Sequence, residues 1–319
     1  MNQSETKKLI QVSIAIIRYK NQVLLGWRDE KLAQGGCYEF AGGKIELGET
    51  PEQAVVREVQ EEVGIDVTPI KRFASFQFDY PDRLLSLFFI LCKLKDPREL
   101  QSIDQHWRWI DLDDVQQFEF PKANQAIIQR LSWSRRIAIL NGDHTAKQQV
   151  HHDVDTIYLR QSDENLKSLL IDNPQLFVEK KVIVRWQDYQ QLNDDLQEKV
   201  FAIHLNSQQL VDLAESVPQN NELPLSLQNK NLIGACHNEN EIECANLIAC
   251  DAIFISPVQA TPTHPEQSGL GWESFSKLTA MAEMPVYALG GVGRDDLDVA
   301  KAHGAYGVAG IRDFLRKSH

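Results

Sequence analysis

Apolar residues alternate with polar ones along much of the first third of the chain, the period-two pattern of half-buried strands. VSIAIIRYKNQVLLGWRD supplies two such runs joined by a turn at Lys20-Asn21, and FASFQFDY and LLSLFFILCKL supply two more around a turn at Pro81-Asp82. The period becomes helical in two places. TPEQAVVREVQEEVG opens with the hydroxyl of Thr50, a proline at the first helical position and Gln53 at the reciprocal capping position. It therefore predicts a helix from Pro51 to a stop at Gly64. After WRWIDLDDV, the segment ANQAIIQRL carries Ala126, Ile127 and Leu131 at helical spacing. Together these elements predict an α+β block with one prominent central helix over residues 1–131.

Beyond that point the texture changes. RIAIL, TIYLR, KVIVRW, VFAIHL, LIGAC, AIFISPV, VYALGG and GVAGI are short apolar runs alternating with helical segments. So many strand-helix units within residues 132–319 predict a compact α/β barrel of the parallel (β/α)8, TIM type. Its functional loops would lie at the carboxyl ends of the strands. The link from Ser132 to Arg136 is short.

Composition narrows the class. A chain of 319 residues, 43% hydrophobic and 24% charged, fits a globular protein of about two domains. No apolar run approaches the ~20 residues of a membrane span, and MNQSETKKLI lacks the apolar core of a signal peptide, so a cytoplasmic location and no membrane partner are expected. The net charge of −12 argues against a broad footprint for duplex nucleic acid, while a free nucleotide held through metal ions stays compatible. Cys37, Cys92, Cys236, Cys244 and Cys250 show no CxxC spacing and are read as reduced, mostly buried thiols.

The chemistry concentrates on the first helix. At about 100° per residue, Val55, Val59 and Val63 share one side and Glu58, Glu61 and Glu62 another. Carboxylates this close repel one another unless a cation neutralises them, and oxygen ligands of this kind suit Mg²⁺ or Mn²⁺ shared with substrate phosphates. Arg57 stands one turn from Glu61 and can orient it, and Gly42-Gly43 and Gly48 allow a close approach of the loop. A solvated acidic helix with an i,i+4 ion pair is the alternative for such a stretch. The spacing decides between them. Gly43, five residues, Glu49, seven residues and then REVQEEVGI from Arg57 to Ile65 match every fixed position of the Nudix box, so residues Lys7 to Leu131 resemble a Nudix hydrolase domain with its α/β/α sandwich and mixed sheet.

This resemblance implies hydrolysis of a nucleoside diphosphate linked to another group. Glu58, Glu61 and Glu62, with Gly42, would be the metal positions, Glu49 an auxiliary carboxylate and Arg57 its support. Either Glu61 or Glu62 would help activate water. Within the family, IAIIR, YEFAGGKIELGETPEQAVVREVQEEVGI, YPDR and FPKAN are most similar to MutT-type enzymes, which convert 8-oxo-dGTP to monophosphate and pyrophosphate. On that likeness Phe40 flanks the purine, Asn124 reads its edge and Arg28 lines the same pocket. An amide offers donor and acceptor together, as such reading requires; for Asn124 a helix N-cap is the other role. Two positions depart from the pattern. Ala41 replaces a proline, and Arg108 stands where a carboxylate is available in similar enzymes, leaving Glu99, Asp104 or Asp111 as substitutes.

The barrel block has a resemblance of its own. TPTHPEQSGLGWESF and PVYALGGVGRDDLDVAKAHGAYGVAGI are similar to the end of thiamine phosphate synthase and its TenI-like relatives. The likeness implies phosphate binding at Gly290, Gly291 and Gly310 and a phosphorylated thiazole-like ligand. Of the family's phosphate grip only Arg160 survives. Arg185-Trp186 and Gln209 stand at its metal-ligand positions, and His264 replaces its lysine, so synthase activity is not expected. His237 stands near the histidine that TenI-like tautomerases use as a proton shuttle, and a structural histidine is the other reading. The expected activity is hydrolysis of 8-oxo-dGTP by the first block. A Nudix enzyme for a thiamine-related pyrophosphate and a bifunctional protein are the alternatives.

Overall fold

The computed structural model describes residues 8–31, 35–79, 83–96, 98, 103, 106–140, 150–160, 170–171, 179–220, 223–260 and 268–315. They divide into two units, Met1–Ser132 and Trp133–His319.

In the first unit β1 (Lys8–Tyr19), β2 (Gln22–Arg28), β3 (Cys37–Glu39) and β4 (Gly42–Lys44) precede α1 (Pro51–Glu62). Then follow β5 (Val67–Asp79), β6 (Arg83–Leu94), β7 (Trp107–Asp111) and α2 (Gln125–Leu131). The sheet runs β3-β2-β1-β6-β5, with β4 pairing on β1 and β7 on β2. It is mixed: β1 and β6 are parallel and the other pairs antiparallel. Strand β1 divides one edge between two partners, β4 along Val12–Ile14 and β2 at Arg18–Tyr19. That split delivers the glycines of β4 to the flank of α1. Ala15, Ile17, Leu24, Ile90 and Cys92 pack with Val55, Val59 and Val63 on the α1 face of the sheet, so the valine side of the helix is buried as its period requires.

Two sequence expectations need correction here. Ala126 is exposed, and the buried positions of α2 are Ile127, Ile128 and Leu131; at 3.6 residues per turn Leu131 lies about 40° round the helix from Ile127 but about 140° from Ala126. The three-residue strands β3 and β4 were not predicted, being too short to show a period. The Pro81-Asp82 turn lies outside the described residues.

In the second unit the strands are β8 (Arg136–Leu140), β9 (Thr156–Leu159), β10 (Lys181–Arg185), β11 (Ala202–Leu205), β12 (Asn231–Cys236), β13 (Ala252–Ile255), β14 (Val286–Leu289) and β15 (Gly307–Gly310). They close in the order β10-β11-β12-β13-β14-β15-β8-β9, all parallel, the TIM-type architecture expected. The helices between them are α3 (Trp186–Tyr189), α4 (Asp194–Lys199), α5 (Ser207–Asn220), α6 (Glu239–Leu247), α7 (Gly271–Met281) and α8 (Leu297–Ala302). Ile157, Leu159, Val182, Val184, Ile203 and Leu205 join the layer between strands and helices. The alternate positions face the interior. At the amino end of the strands the entering segment forms a floor. Trp133 is 2% exposed and packs on Phe201 at 4.9 Å, while Tyr306 and Tyr287 donate to the carbonyls of Trp133 and Ser134 at 2.7 and 2.6 Å. Arg135 lies over the Tyr306 ring and donates to the Tyr306 carbonyl.

All five cysteines are free and four are buried, as expected. Among the described residues no helix is long and apolar enough to cross a membrane.

Candidate active site

Helix α1 starts with the capping box foreseen from Thr50 and Gln53 and ends where Gly64, at φ +76°, turns its N–H back to the Val59 carbonyl. On its polar side Arg57 gathers three carboxylates. Its Nε and Nη2 donate to the two oxygens of Glu49 at 2.8 and 2.9 Å, and Nη1 donates to Glu58 Oε1 at 2.8 Å and Glu61 Oε2 at 3.4 Å. Nη2 also reaches the Lys44 carbonyl at 3.1 Å. The guanidinium beside Glu49, helped by the Glu46 N–H, holds that carboxyl down to about 2. Arg57 is itself pushed up by Glu49 and Glu58.

Glu62 lies apart from this clamp, accepting from the Gly42 N–H at 3.1 Å. Loss of hydration raises its carboxyl, the Gly42 hydrogen bond opposes the rise, and the charge of Glu58 adds to it. A Cβ on Gly43 would overlap the Glu58 carboxylate, and one on Gly42 would overlap the Ser13 carbonyl, so the glycines are required by close approach. Arg57 thus brings Glu58 and Glu61 together while the Gly42 N–H holds Glu62, and the three carboxylates do not bring ligand atoms within 4.8 Å of one another; Glu58 Oε2 and Glu61 Oε1 are left without hydrogen-bond partners among the described residues. A set of anionic oxygens with outward lone pairs fits a hard divalent cation.

Phe40 is buried against Phe120, stacked at 5.9 Å, and against Phe89, on the face of the sheet away from α1. Asn124 occupies the N-cap position of α2, yet its side chain makes no capping bond. It is 7% exposed, and its amide has no hydrogen-bond partner among the described residues. Arg28 pairs with Glu39 at 2.6 Å, and both contribute to the field at Glu62. Arg108 is exposed on β7. Asp111 pairs with Gln22, four residues and ~13 Å along that strand from Trp107, whose indole donates to the Glu62 carbonyl. Asp111 is therefore remote from the cluster. Glu99 and Asp104 lie outside the described residues.

In the barrel, Gly290 and Gly291 have φ of +90° and +68°, and an added Cβ would press on Pro257 and on Gln259-Ala260 respectively. A Cβ on Gly310 would meet the Phe314 ring. Close packing accounts for these three glycines, whatever else their amides do. Gln209 exchanges hydrogen bonds with Asn206 at the start of α5, and Arg185 clamps Asp188 at 2.6 and 2.8 Å. His237 is held by Glu241, whose carboxylate takes both its N–H and its Nδ1. Thr261-Pro262-Thr263 and His264 lie outside the described residues.

His151, His152 and Asp153 bring three ligand atoms within 4.8 Å of one another. Arg294 donates to His151 Nδ1 at 2.8 Å and lies 3.3 Å from Asp153, so the cluster already holds a cation.

Sequence reasoning missed a pair inside the barrel, Tyr158 and His204, joined at 2.8 Å. The signal was there: TIYL and AIHL each carry one polar ring between two aliphatic residues. Burial, with Arg160 and Arg185 adding, pushes His204 from 6.5 down to about 3. The folded protein holds it neutral where the unfolded chain takes a proton, so stability is lost as pH falls from about 6.5 towards 3. Between pH 7 and pH 5 the melting temperature of the native protein should fall further than that of His204→Phe. Equal falls in the two proteins would contradict this.

Residues 7–131 match the NUDIX domain family, and residues 144–314 match the thiamine monophosphate synthase family. The first unit is similar to 8-oxo-dGTP diphosphatase from Escherichia coli (strain K12), 38% identical over 125 residues, 39% of this chain and 97% of that protein. The chain is 35% identical over 81 residues, 25% of its length, to putative thiamine-phosphate synthase 2 from Aquifex aeolicus (strain VF5), of which it covers 44%. A solved structure from work on MutT of Aliivibrio salmonicida and Vibrio cholerae is 27% identical, covers 39% of this chain and 97% of that one, and has a TM-score of 0.29.

Proposed function

We propose, for a chain that belongs to the Nudix hydrolases through its first unit and to the thiamine monophosphate synthase family through its barrel, that the first unit hydrolyses 8-oxo-dGTP and related oxidised purine triphosphates to monophosphate and pyrophosphate. The observation that carries the reading is the Arg57 clamp on Glu49, Glu58 and Glu61 beside Glu62, in a unit that aligns over nearly the whole of an 8-oxo-dGTP diphosphatase.

Glu58, Glu61 and Glu62, with the backbone at Gly42, would hold Mg²⁺ or Mn²⁺. Such an ion neutralises triphosphate charge and acidifies the attacking water. The remaining work falls to the chain. Arg57 fixes Glu49, Glu58 and Glu61 before substrate arrives, and the bare backbone at Gly43 lets Glu58 lie against β4. Glu61 or Glu62 takes the water proton. Phe40 flanks the purine and the unpartnered Asn124 amide reads its edge, with Arg28 lining the same pocket.

Asn124→Ala should lower the preference for 8-oxo-dGTP over dGTP by about 10- to 100-fold, more than it lowers turnover of dGTP, because a hydrogen-bonding pocket discriminates through the pairs it makes. The ratio of kcat/KM for the two nucleotides checks this. Equal losses on both would assign Asn124 to packing.

A second reading is hydrolysis of a thiamine-related pyrophosphate, supported by the barrel's family alone. Release of monophosphate from 8-oxo-dGTP and from thiamine pyrophosphate, measured side by side on the full chain, tests one against the other. For the barrel the reading is binding of a phosphorylated thiazole-like ligand near Arg160, Gly290, Gly291 and Gly310, without synthase turnover. The engagement of Gln209 with Asn206 and of Arg185 with Asp188 supports the second part. Tautomerisation through His237, oriented by Glu241, is the catalytic alternative.

A further inference from the structure

The sheet of the first unit ends in β5, which pairs with β6 on one side only. At the opposite end β3 is covered, because the Tyr38 N–H donates to the Glu119 carbonyl at 2.8 Å. Strand β5 is not uniform along its length. Its first half carries the features that guard sheet edges: Pro69, Lys71, Arg72 and two irregularities of register, between Pro69 and Lys71 and between Arg72 and Ala74. From Ala74 to Asp79 the pairing with β6 is regular, running from Ala74 opposite Phe89 to Asp79 opposite Leu84, with no proline and no charge before Asp79. Among the described residues, Ala74 to Gln77 make no backbone hydrogen bond beyond the β5–β6 ladder. Alternate amides and carbonyls of an edge strand point away from its sheet, so this stretch offers a row of backbone groups to a further strand.

The two faces of the stretch differ. Phe76 and Phe78 stand opposite Leu87 and Leu85, and Phe76 stacks on Phe89 at 5.5 Å, on the side of the sheet away from α1. Both rings are half-exposed, while Ser75, Gln77 and Asp79 alternate with them and are exposed on the α1 side. Phe73 is the extra residue of the second irregularity, standing between Arg72 opposite Ile90 and Ala74 opposite Phe89. It puts Arg72 on the same side as Asp79. There the guanidinium lies over the Phe88 ring and 3.4 Å from Glu52.

We propose that β5 joins a second copy of this chain, edge to edge and antiparallel, about a two-fold axis at Phe76. In that register Phe76 meets Phe76 and Ala74 meets Phe78 on the apolar side, while Ser75 meets Gln77 on the polar side. Because Phe73 is extra, the next pair is Arg72 with Asp79, a cation with an anion, and the symmetry makes that pair twice. An axis at Ser75 would set Arg72 against Gln77, and one at Gln77 would set Asp79 against Ser75, so the charges single out Phe76. The association goes beyond the hydrolytic reading and needs none of its residues.

A ladder this short buries less than the ~1,200 Å² of a standard interface, so the dimer is weak, with a Kd on the order of 10–100 µM. Sedimentation velocity of the full-length protein, from about 1 to 300 µM, should show the mass rising from the 36.3 kDa of one chain towards twice that value. Ser75→Lys combined with Gln77→Lys sets lysines opposite one another across the axis and should hold the protein at 36.3 kDa at every concentration. Arg72→Asp opposes two carboxylates and should weaken association about tenfold, and adding Asp79→Arg reverses the pair and should restore it. Thermal melts in dilute solution establish that each variant is folded. A native protein that stays at 36.3 kDa throughout, a dimer that persists in the double-lysine variant, or a folded charge swap that stays monomeric overturns the proposal.

Discussion

Glu61→Gln should lower turnover of 8-oxo-dGTP by about 10²- to 10⁵-fold, the several kcal/mol of barrier that a lost metal carboxylate represents. The fold should barely notice. The Glu61 side chain is 61% exposed, and its contact with Arg57 is the longest of the clamp at 3.4 Å. Exposed pairs of this kind contribute little to stability. Steady-state kinetics alongside a melting curve separates the two effects: an unchanged melting temperature with collapsed kcat is expected. Near-native turnover in a folded Glu61→Gln protein would remove Glu61 from the proposed metal set.

The largest expected effect on stability lies at the barrel floor. Trp133→Ala should destabilise the second unit by about 3–5 kcal/mol, the range for truncating a buried aromatic side chain. Trp133 is almost fully buried on Phe201 and Tyr287. The cavity would open beneath the carbonyls that Tyr306 and Tyr287 hold, so the loss extends to the seating of the entering chain. Denaturant unfolding of the full-length protein, followed by a probe in the barrel, should show the midpoint falling while hydrolysis of 8-oxo-dGTP under native conditions continues. Trp133→Phe should recover much of the loss. A Trp133→Ala barrel that unfolds at the native midpoint would contradict the role given to this residue.

What could be read from the sequence followed from how local each feature is. The carboxylate helix was legible because its cap, its valine stripe and its glutamates lie within one short segment, and so were the eight barrel strands, each an apolar run of its own. Strands β3 and β4 were hidden by their length, although Gly42 and Gly43 mark where one of them must run. The Tyr158–His204 pair joins residues 46 positions apart, and the floor under Trp133 joins the linker to residues more than 150 positions away. Alternation in TIYL and AIHL turns each ring inward, but which side chains then meet is set by barrel closure. Ala126 failed for a smaller reason: it stands about 140° round the helix from Leu131, off the side that Ile127 and Leu131 share.

If hydrolysis belongs to the first unit alone, a fragment ending at Ser132 should retain it. Every residue assigned to hydrolysis, from Arg28 to Asn124, lies in the first unit. Residues 1–132, shown to be folded by circular dichroism, should release pyrophosphate from 8-oxo-dGTP at the rate of the full chain and leave thiamine pyrophosphate untouched. A folded fragment without activity, or one that prefers thiamine pyrophosphate, would contradict it.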